Sequence, residues 1–301
     1  MRALVISGGG SKGAFGGGVA EYLIKECGIH YDIFLGTSTG SLLIPLLSIG
    51  ETGLLKNTFT SVTQSDIFNI CPFIIRKIKG AFTTRINHFG ILKMFIKGKK
   101  TFGESLHLKK LICKIITESS FNKMKVNKPD VLVTVSNLSC NQVEYKSLKD
   151  CTYHDFCEWV WASSNVVPFM SLMEKDGFEY GDGGLGNIVP IHEAVIRGAC
   201  EIDIIVLKSQ AKLKKKLPVT NALDLTVRAF DFMLNQIVTD DILIGKLASG
   251  HQQVKLNFYQ PPAELTINSL IFEPAQMKKW WLEGFEFARD QGPCSKNVEI
   301  M

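Results

Sequence analysis

Ser38 stands at the centre of Gly36-Thr37-Ser38-Thr39-Gly40, and a glycine loop, Gly8-Gly9-Gly10-Ser11-Lys12-Gly13, ends only 25 residues before it. The first motif fits a nucleophile elbow, G-x-S-x-G, and the chemistry it suits is attack of a serine oxygen on an acyl carbon. Glycines on both sides let two backbones approach closely through a strained turn, which leaves the serine exposed at a helix N-terminus. Serine is a weak nucleophile at neutral pH and needs a base within hydrogen-bond reach. Among the six histidines, His192 and His251 follow the elbow at positions a triad would use. His192 falls in a predicted surface helix and His251 follows a loop glycine, so ordinary surface histidines account for both. Asp182, in Tyr180-Gly181-Asp182-Gly183-Gly184, is the better candidate, because its flanking glycines allow a tight loop that brings the carboxylate against Ser38. An aspartate of ordinary pKa, about 3.9, is a weak base. A short hydrogen bond and exclusion of water raise its effective basicity. Asp176, in Lys175-Asp176-Gly177, reads as a plain turn linking two strands.

A tetrahedral intermediate carries an oxyanion, which needs fixed donors. The backbone N–H groups of Gly9, Gly10 and Ser11 are the candidates, gathered where the glycine loop enters the first helix. Losing one such donor costs about 2.7–4 kcal/mol of barrier. Lys12 adds positive charge to the loop as a mobile point charge. The loop also satisfies G-x-G-x-x-G at Gly8, Gly10 and Gly13, which raises a dinucleotide alternative. That fingerprint wants an acid at the end of the second strand. Asp32 stands at the start of that strand, and the elbow takes its end. A Walker A reading fails because Ala14 occupies the position of the required lysine. The chain has no H-E-x-x-H and no carboxylates or histidines clustered at ligand spacing, so neither a metal nor another cofactor is expected.

The elements that must position these groups follow from periodicity. Strands are predicted near 2–7, 31–36, 130–137, 142–147, 177–181, 202–207 and 252–258, and helices near 14–27, 40–49, 104–118, 153–163, 190–198, 221–247 and 274–289. The nearly continuous β-branched runs at 131–135 and 202–207 read as central strands covered on both faces. The expectation is a three-layer α/β/α domain with a mainly parallel central sheet. Residues 52–128 interrupt the alternation and read as a helical insertion, or cap, over the active-site end of the sheet. Pro45 should kink or shorten the helix after the elbow.

The order of motifs (glycine loop, early G-x-S-x-G, then D-G-G at Asp182-Gly183-Gly184) resembles the patatin-like phospholipase family. The run Pro190 to Ala199 is similar to that family's helix after D-G-G, and Phe272 to Ala288 to its closing helix. An α/β-hydrolase elbow follows several βα units, whereas here one precedes it. The resemblance implies a Ser38–Asp182 dyad with no histidine and an anion-binding loop over Gly9, Gly10, Ser11, Lys12 and Gly13. Lys12 stands where the family often has arginine. The implied substrate is a phospholipid or another acyl-ester lipid. An acyltransferase built on the same dyad, or a catalytically silent membrane-binding scaffold, are the alternatives.

At 301 residues with 46% hydrophobic content, the chain reads as one domain over 1–301, since no linker, repeat or low-complexity tract divides it. Neither a signal peptide nor a transmembrane helix is expected. Eight scattered cysteines without a CxxC pair read as reduced, mostly buried thiols in a cytoplasmic setting. The net charge of +5 hides an asymmetry. Between Ile67 and Gly103 lie Arg76, Lys77, Lys79, Arg85, Lys93, Lys97, Lys99 and Lys100 with no acidic residue, which leaves the rest of the chain at −3. A second cluster is Lys208 with Lys212, Lys214, Lys215 and Lys216. The first segment also carries six phenylalanines: Phe68, Phe73, Phe82, Phe89, Phe95 and Phe102. Phenylalanine among lysine suits peripheral docking on an anionic membrane surface, and a basic face over ordinary core phenylalanines is the competing reading. No nucleic-acid module is recognisable, so no nucleic acid is expected.

Overall fold

The computed structural model describes residues 1–78, 81–127, 129–209, 218–219, 222–266 and 268–291. Lys79, Lys212, Lys214, Lys215, Lys216 and Cys294 lie outside these. The strands are β1 Arg2–Ile6, β2 Ile33–Thr37, β3 Phe73–Ile78, β4 Ala81–Ile86, β5 Asp130–Asn137, β6 Gln142–Ser147, β7 Met173–Lys175, β8 Phe178–Asp182, β9 Glu201–Ile205 and β10 Lys255–Tyr259. The helices are α1 Gly13–Glu21, α2 Thr39–Leu47, α3 Thr52–Phe59, α4 Gln64–Ile67, α5 His88–Ile96, α6 Leu106–Ile115, α7 Glu118–Asn127, α8 Tyr153–Ser163, α9 Ile191–Ile196, α10 Ala222–Gln252 and α11 Pro274–Gln291.

Strands β10-β9-β1-β2-β5 run parallel in that order, and β8, β7 and β6 join antiparallel. Alternation along β1 sends Leu4 and Ile6 into one core and Ala3 and Val5 into another. Both faces of the sheet are therefore buried, as a parallel sheet requires, and the mixed α/β architecture with a mainly parallel centre is observed. The Asp176-Gly177 turn joins β7 to β8, with positive φ at both residues (53° and 81°). Helix α2 ends at Leu47, two residues past Pro45.

One register feature positions the site. Strand β5 is paired along one edge by β6 over Leu132–Asn137. Strand β2 pairs β5 up to Thr37↔Thr134, and β8 pairs it from Val135↔Asp182. Each β5 residue has only two edges, so β2 and β8 must share the other one. The end of β2 and the end of β8 thus meet at adjacent β5 positions. Ser38 follows the first and Asp182 closes the second.

The insertion is helical for most of its length, in α3 to α7. It also carries an antiparallel hairpin, β3–β4, that the sequence reading lacks. Runs such as Phe73-Ile74-Ile75 and Phe82-Thr83-Thr84 favour a pleated surface over a helix. Among the free cysteines of the described residues Cys151 and Cys157 are buried, Cys71 and Cys113 half-buried, and Cys140 and Cys200 exposed, while Cys27 is disulfide-bonded. The expectation of reduced, mostly buried thiols is corrected accordingly. An apolar sequence neighbourhood does not fix which side of an element a side chain takes.

Helix α11 locks the glycine loop in place by closing on α1. A Cβ on Gly18 would lie 2.0 Å from the Trp281 carbonyl oxygen, and one on Gly284 2.1 Å from that of Phe15. The Trp281 indole N–H donates to Glu21 Oε2 at 2.6 Å. Gly18→Ala should therefore cost about 2–3 kcal/mol, because helix backbone must move to admit the methyl group. Urea unfolding measures it, and a curve superimposable on wild type would contradict this packing.

Candidate active site

The elbow is built at a cost in backbone strain. Ser38 has φ 55° and ψ −119°, a left-handed conformation for a residue with a side chain. The turn closes because its flanks lack a Cβ: one on Gly36 would meet the Gly40 backbone at 2.4 Å, and one on Gly40 the Ile6 carbonyl oxygen at 2.1 Å. Two serines, Ser163 and Ser41, hold the turn from below. The Ser38 N–H donates to Ser163 Oγ at 3.0 Å. The Ser163 and Ser41 hydroxyls share a 2.7 Å hydrogen bond, and Ser41 Oγ donates to the Gly36 carbonyl at 2.8 Å.

The Ser38 hydroxyl donates to Asp182 Oδ2 at 2.6 Å, and both residues are buried. The other carboxylate oxygen, Oδ1, accepts the Gly184 N–H at 2.7 Å. Gly183 must lack a side chain, since a Cβ there would lie 2.3 Å from the Thr134 carbonyl oxygen. Burial pushes the Asp182 carboxyl up to about 7, partly offset by the hydrogen bonds from Ser38 and Gly184. That value is where a general base working at neutral pH is most effective. His192 and His251 are exposed, and none of the six histidines bonds to Ser38 or Asp182.

The glycine loop lies against the elbow, with a Cβ on Gly8 falling 3.2 Å from that of Ser38. The N–H groups of Gly9 and Gly10 have no acceptor among the described residues. Ser11 departs from expectation. Its N–H donates to the Ser269 carbonyl at 2.8 Å, so it is already engaged and does not face an oxyanion. The cause is the turn at Gly10, whose φ of 55° directs the next amide toward the 268–270 segment. Gly13 is needed for contact, as a Cβ there would meet Thr39 Cγ2 at 2.3 Å. Lys12 makes no hydrogen bond to Ser38 or Asp182. Desolvation lowers its pKa, and the carboxylates of Asp231 and Glu264 oppose that shift.

Two further supports carried no sequence signal. Ser163 sits in an otherwise apolar helix end, and Asp241 lies mid-helix, 59 residues beyond Asp182. Asp241 Oδ2 accepts the N–H groups of both Ile188 (2.6 Å) and Val189 (2.9 Å). The same loop is tied to the site, since the Ile188 carbonyl accepts the Gly8 N–H and the Asn187 carbonyl accepts the Thr37 hydroxyl. Burial raises the Asp241 carboxyl to about 6. Asp241→Ala orphans two buried donors and should cost about 2–4 kcal/mol, with a fall in kcat as the loop loosens. Asp241→Asn keeps both bonds through its single carbonyl oxygen and should retain activity. Thermal unfolding and turnover of a soluble ester check both, and an Asn variant as damaged as the Ala variant would contradict this account.

Ser38 opens into an apolar cleft. Gly10 and Thr39 stand beside the serine. The walls are Leu42 of α2, Phe59 of α3, Leu108 and Ile112 of α6, and Met170 and Phe272. The insertion thus supplies much of the lining. Among the described residues no cluster of three or more His, Cys, Asp or Glu could hold a metal ion, and no helix is long and apolar enough to cross a membrane.

Comparison with known proteins gives three findings. The patatin-like phospholipase family profile matches residues 4–195, more than half of the chain. The chain is 25% identical over 215 residues to the uncharacterized protein YjjU of Escherichia coli K12, covering 67% of this chain and 51% of that protein, so it spans about half the length of the curated relative it matches. It is also similar to the crystal structure of VipD from Legionella pneumophila, with a TM-score of 0.49 and 13% identity over 96% of this chain and 66% of that one.

Proposed function

The chain belongs to the patatin-like phospholipase family, and from that premise we propose that it is a serine acyl hydrolase of phospholipids or lysophospholipids, built as one domain with the insertion at about 52–128 as its cap. Family membership supports lipid acyl hydrolysis as the class of reaction. The observation that carries the finer reading is the 2.6 Å hydrogen bond from Ser38 Oγ to Asp182 at the floor of an apolar cleft. Ser38 Oγ attacks the ester carbonyl as its proton passes to Asp182. The negative charge on the former carbonyl oxygen falls to the N–H groups of Gly9 and Gly10, at the entry to α1. Collapse expels the alcohol, which takes the proton from Asp182 and leaves an acyl ester on Ser38. Water then gives a proton to Asp182, attacks that ester and releases the fatty acid, and the proton returns to Ser38.

The cleft walls suit an alkyl chain, since each methylene removed from water contributes about 0.8 kcal/mol. Two experiments test the proposal. A fluorophosphonate should label the wild type and fail to label Ser38→Ala. A panel of phospholipids and lysophospholipids, with products identified by mass spectrometry, should yield free fatty acid. Labelling without fatty-acid release from any lipid would remove hydrolysis, and absence of labelling would remove the acyl-enzyme altogether.

A further inference from the structure

Helix α5 turns its apolar side outward. Phe89, Leu92, Phe95 and Ile96 are 81%, 54%, 62% and 78% exposed, while Gly90 and Met94 face inward. At about 100° per residue the four exposed side chains span an arc of roughly 120°. Lys93 and Lys97 rim one side of that arc. They are exposed and form no ion pair among the described residues. Lys99 and Lys100 differ, being paired with Glu104 and with Glu174 and Glu179. The basic segment is therefore not uniformly unopposed, and Lys93 and Lys97 place two of its charges beside the apolar ridge. The phenylalanines divide as well, with Phe68 in the core and Phe89 and Phe95 outside.

The ridge is joined to the cleft. The ring of Phe95 packs on Phe102 at 6.0 Å, and Phe102 packs on Phe169 at 6.1 Å. Phe169 precedes Met170, which lines the cleft at Ser38. A water-facing row of large apolar side chains costs free energy unless something covers it. Its covering must accept aliphatic and aromatic groups along one line and cations along the rim. An anionic bilayer surface offers that combination, with acyl chains for the ridge and headgroups for the lysines.

We infer that α5 is the interfacial anchor of this protein: Phe89, Leu92, Phe95 and Ile96 enter the headgroup–acyl boundary of an anionic membrane, Lys93 and Lys97 rest on its headgroups, and the cleft wall lies alongside. The inference rests on the lipid substrate proposed above, but its test requires no turnover. The probe is sedimentation with vesicles of phosphatidylcholine alone or mixed with phosphatidylglycerol. Wild type should bind both, more tightly with phosphatidylglycerol, and that surplus should shrink as salt rises. The quadruple variant Phe89→Ser, Leu92→Ser, Phe95→Ser, Ile96→Ser should lose at least about tenfold in partitioning to both vesicles. Lys93→Gln with Lys97→Gln should lose about tenfold on the anionic vesicles alone. Both variants should turn over a soluble short-chain ester as wild type does.

A second measurement does not depend on the quadruple variant folding. Phe95→Trp should gain fluorescence quenching, beyond wild type, from vesicles with brominated acyl chains. No added quenching, or wild-type binding unchanged in the quadruple variant, overturns the anchor. A wild type that hydrolyses lipid without binding vesicles also overturns it and leaves the hydrolase reading standing. A wild type that binds vesicles through α5 yet hydrolyses no lipid does the reverse. A wild type that ignores vesicles and dimerises through the ridge would make it a self-association face and likewise end the proposal.

Discussion

Asp182→Asn should abolish ester hydrolysis and stabilise the folded protein in the same step. Asparagine cannot accept the Ser38 proton, so kcat/KM should fall at least about a thousandfold, as it should for Ser38→Ala. The two act as one unit, so the double variant should be no worse than the poorer single. The stability effect has the opposite sign because the folded carboxyl sits at about 7, above the 3.8 of the unfolded chain. A group raised in this way favours folding fully below its unfolded pKa, and that contribution is lost as pH rises through the folded value. At pH 8 the buried carboxylate therefore costs the fold on the order of a few kcal/mol, which asparagine relieves. The gain for Asp182→Asn should be largest at pH 8 and fade toward pH 4. Urea unfolding at the two pH values and initial rates on a soluble ester make the comparison. A variant that keeps more than about a hundredth of wild-type activity would end the role of Asp182 as the base. One that is less stable at every pH would mean the carboxyl is not desolvated.

The pH profile is the second large effect. Only ionised Asp182 can take the serine proton, so kcat/KM on a soluble ester should show an acid limb near pH 7. Two units below that value the rate should be roughly a hundredth of its plateau. A histidine base would titrate nearby, at about 6.5, so the limb alone does not separate them. His192→Ala and His251→Ala should leave the rate and the limb unchanged. Asp241→Asn should leave the limb in place too, which removes the other raised carboxyl from consideration. A limb near 4 would mean that water reaches Asp182. Loss of activity in a folded His192 or His251 variant would install a histidine in the mechanism.

Local geometry was legible in the residues alone. The elbow at Ser38 and the loop from Gly8 to Gly13 are constraints on neighbouring backbone, so spacing within a few residues expresses them. Helices α8 and α11 and strand β5 follow from periodicity that is likewise local, and their predicted bounds lie within two residues of the observed ones. The D-G-G run marked Asp182 as a candidate, and the family's motif order supplied its pairing with Ser38. What brings the two together across 144 residues is tertiary: β2 and β8 share one edge of β5, a register that no stretch of sequence contains. The same holds for the Ser11 amide, which Ser269 takes, for Asp241 beneath the loop, and for the Lys99 and Lys100 ion pairs. Periodicity told which residues of a helix share a face, but whether that face meets core or water depends on what packs beside it. That is why Phe68 is buried, Phe89 and Phe95 stand in water, and only the folded chain separates them.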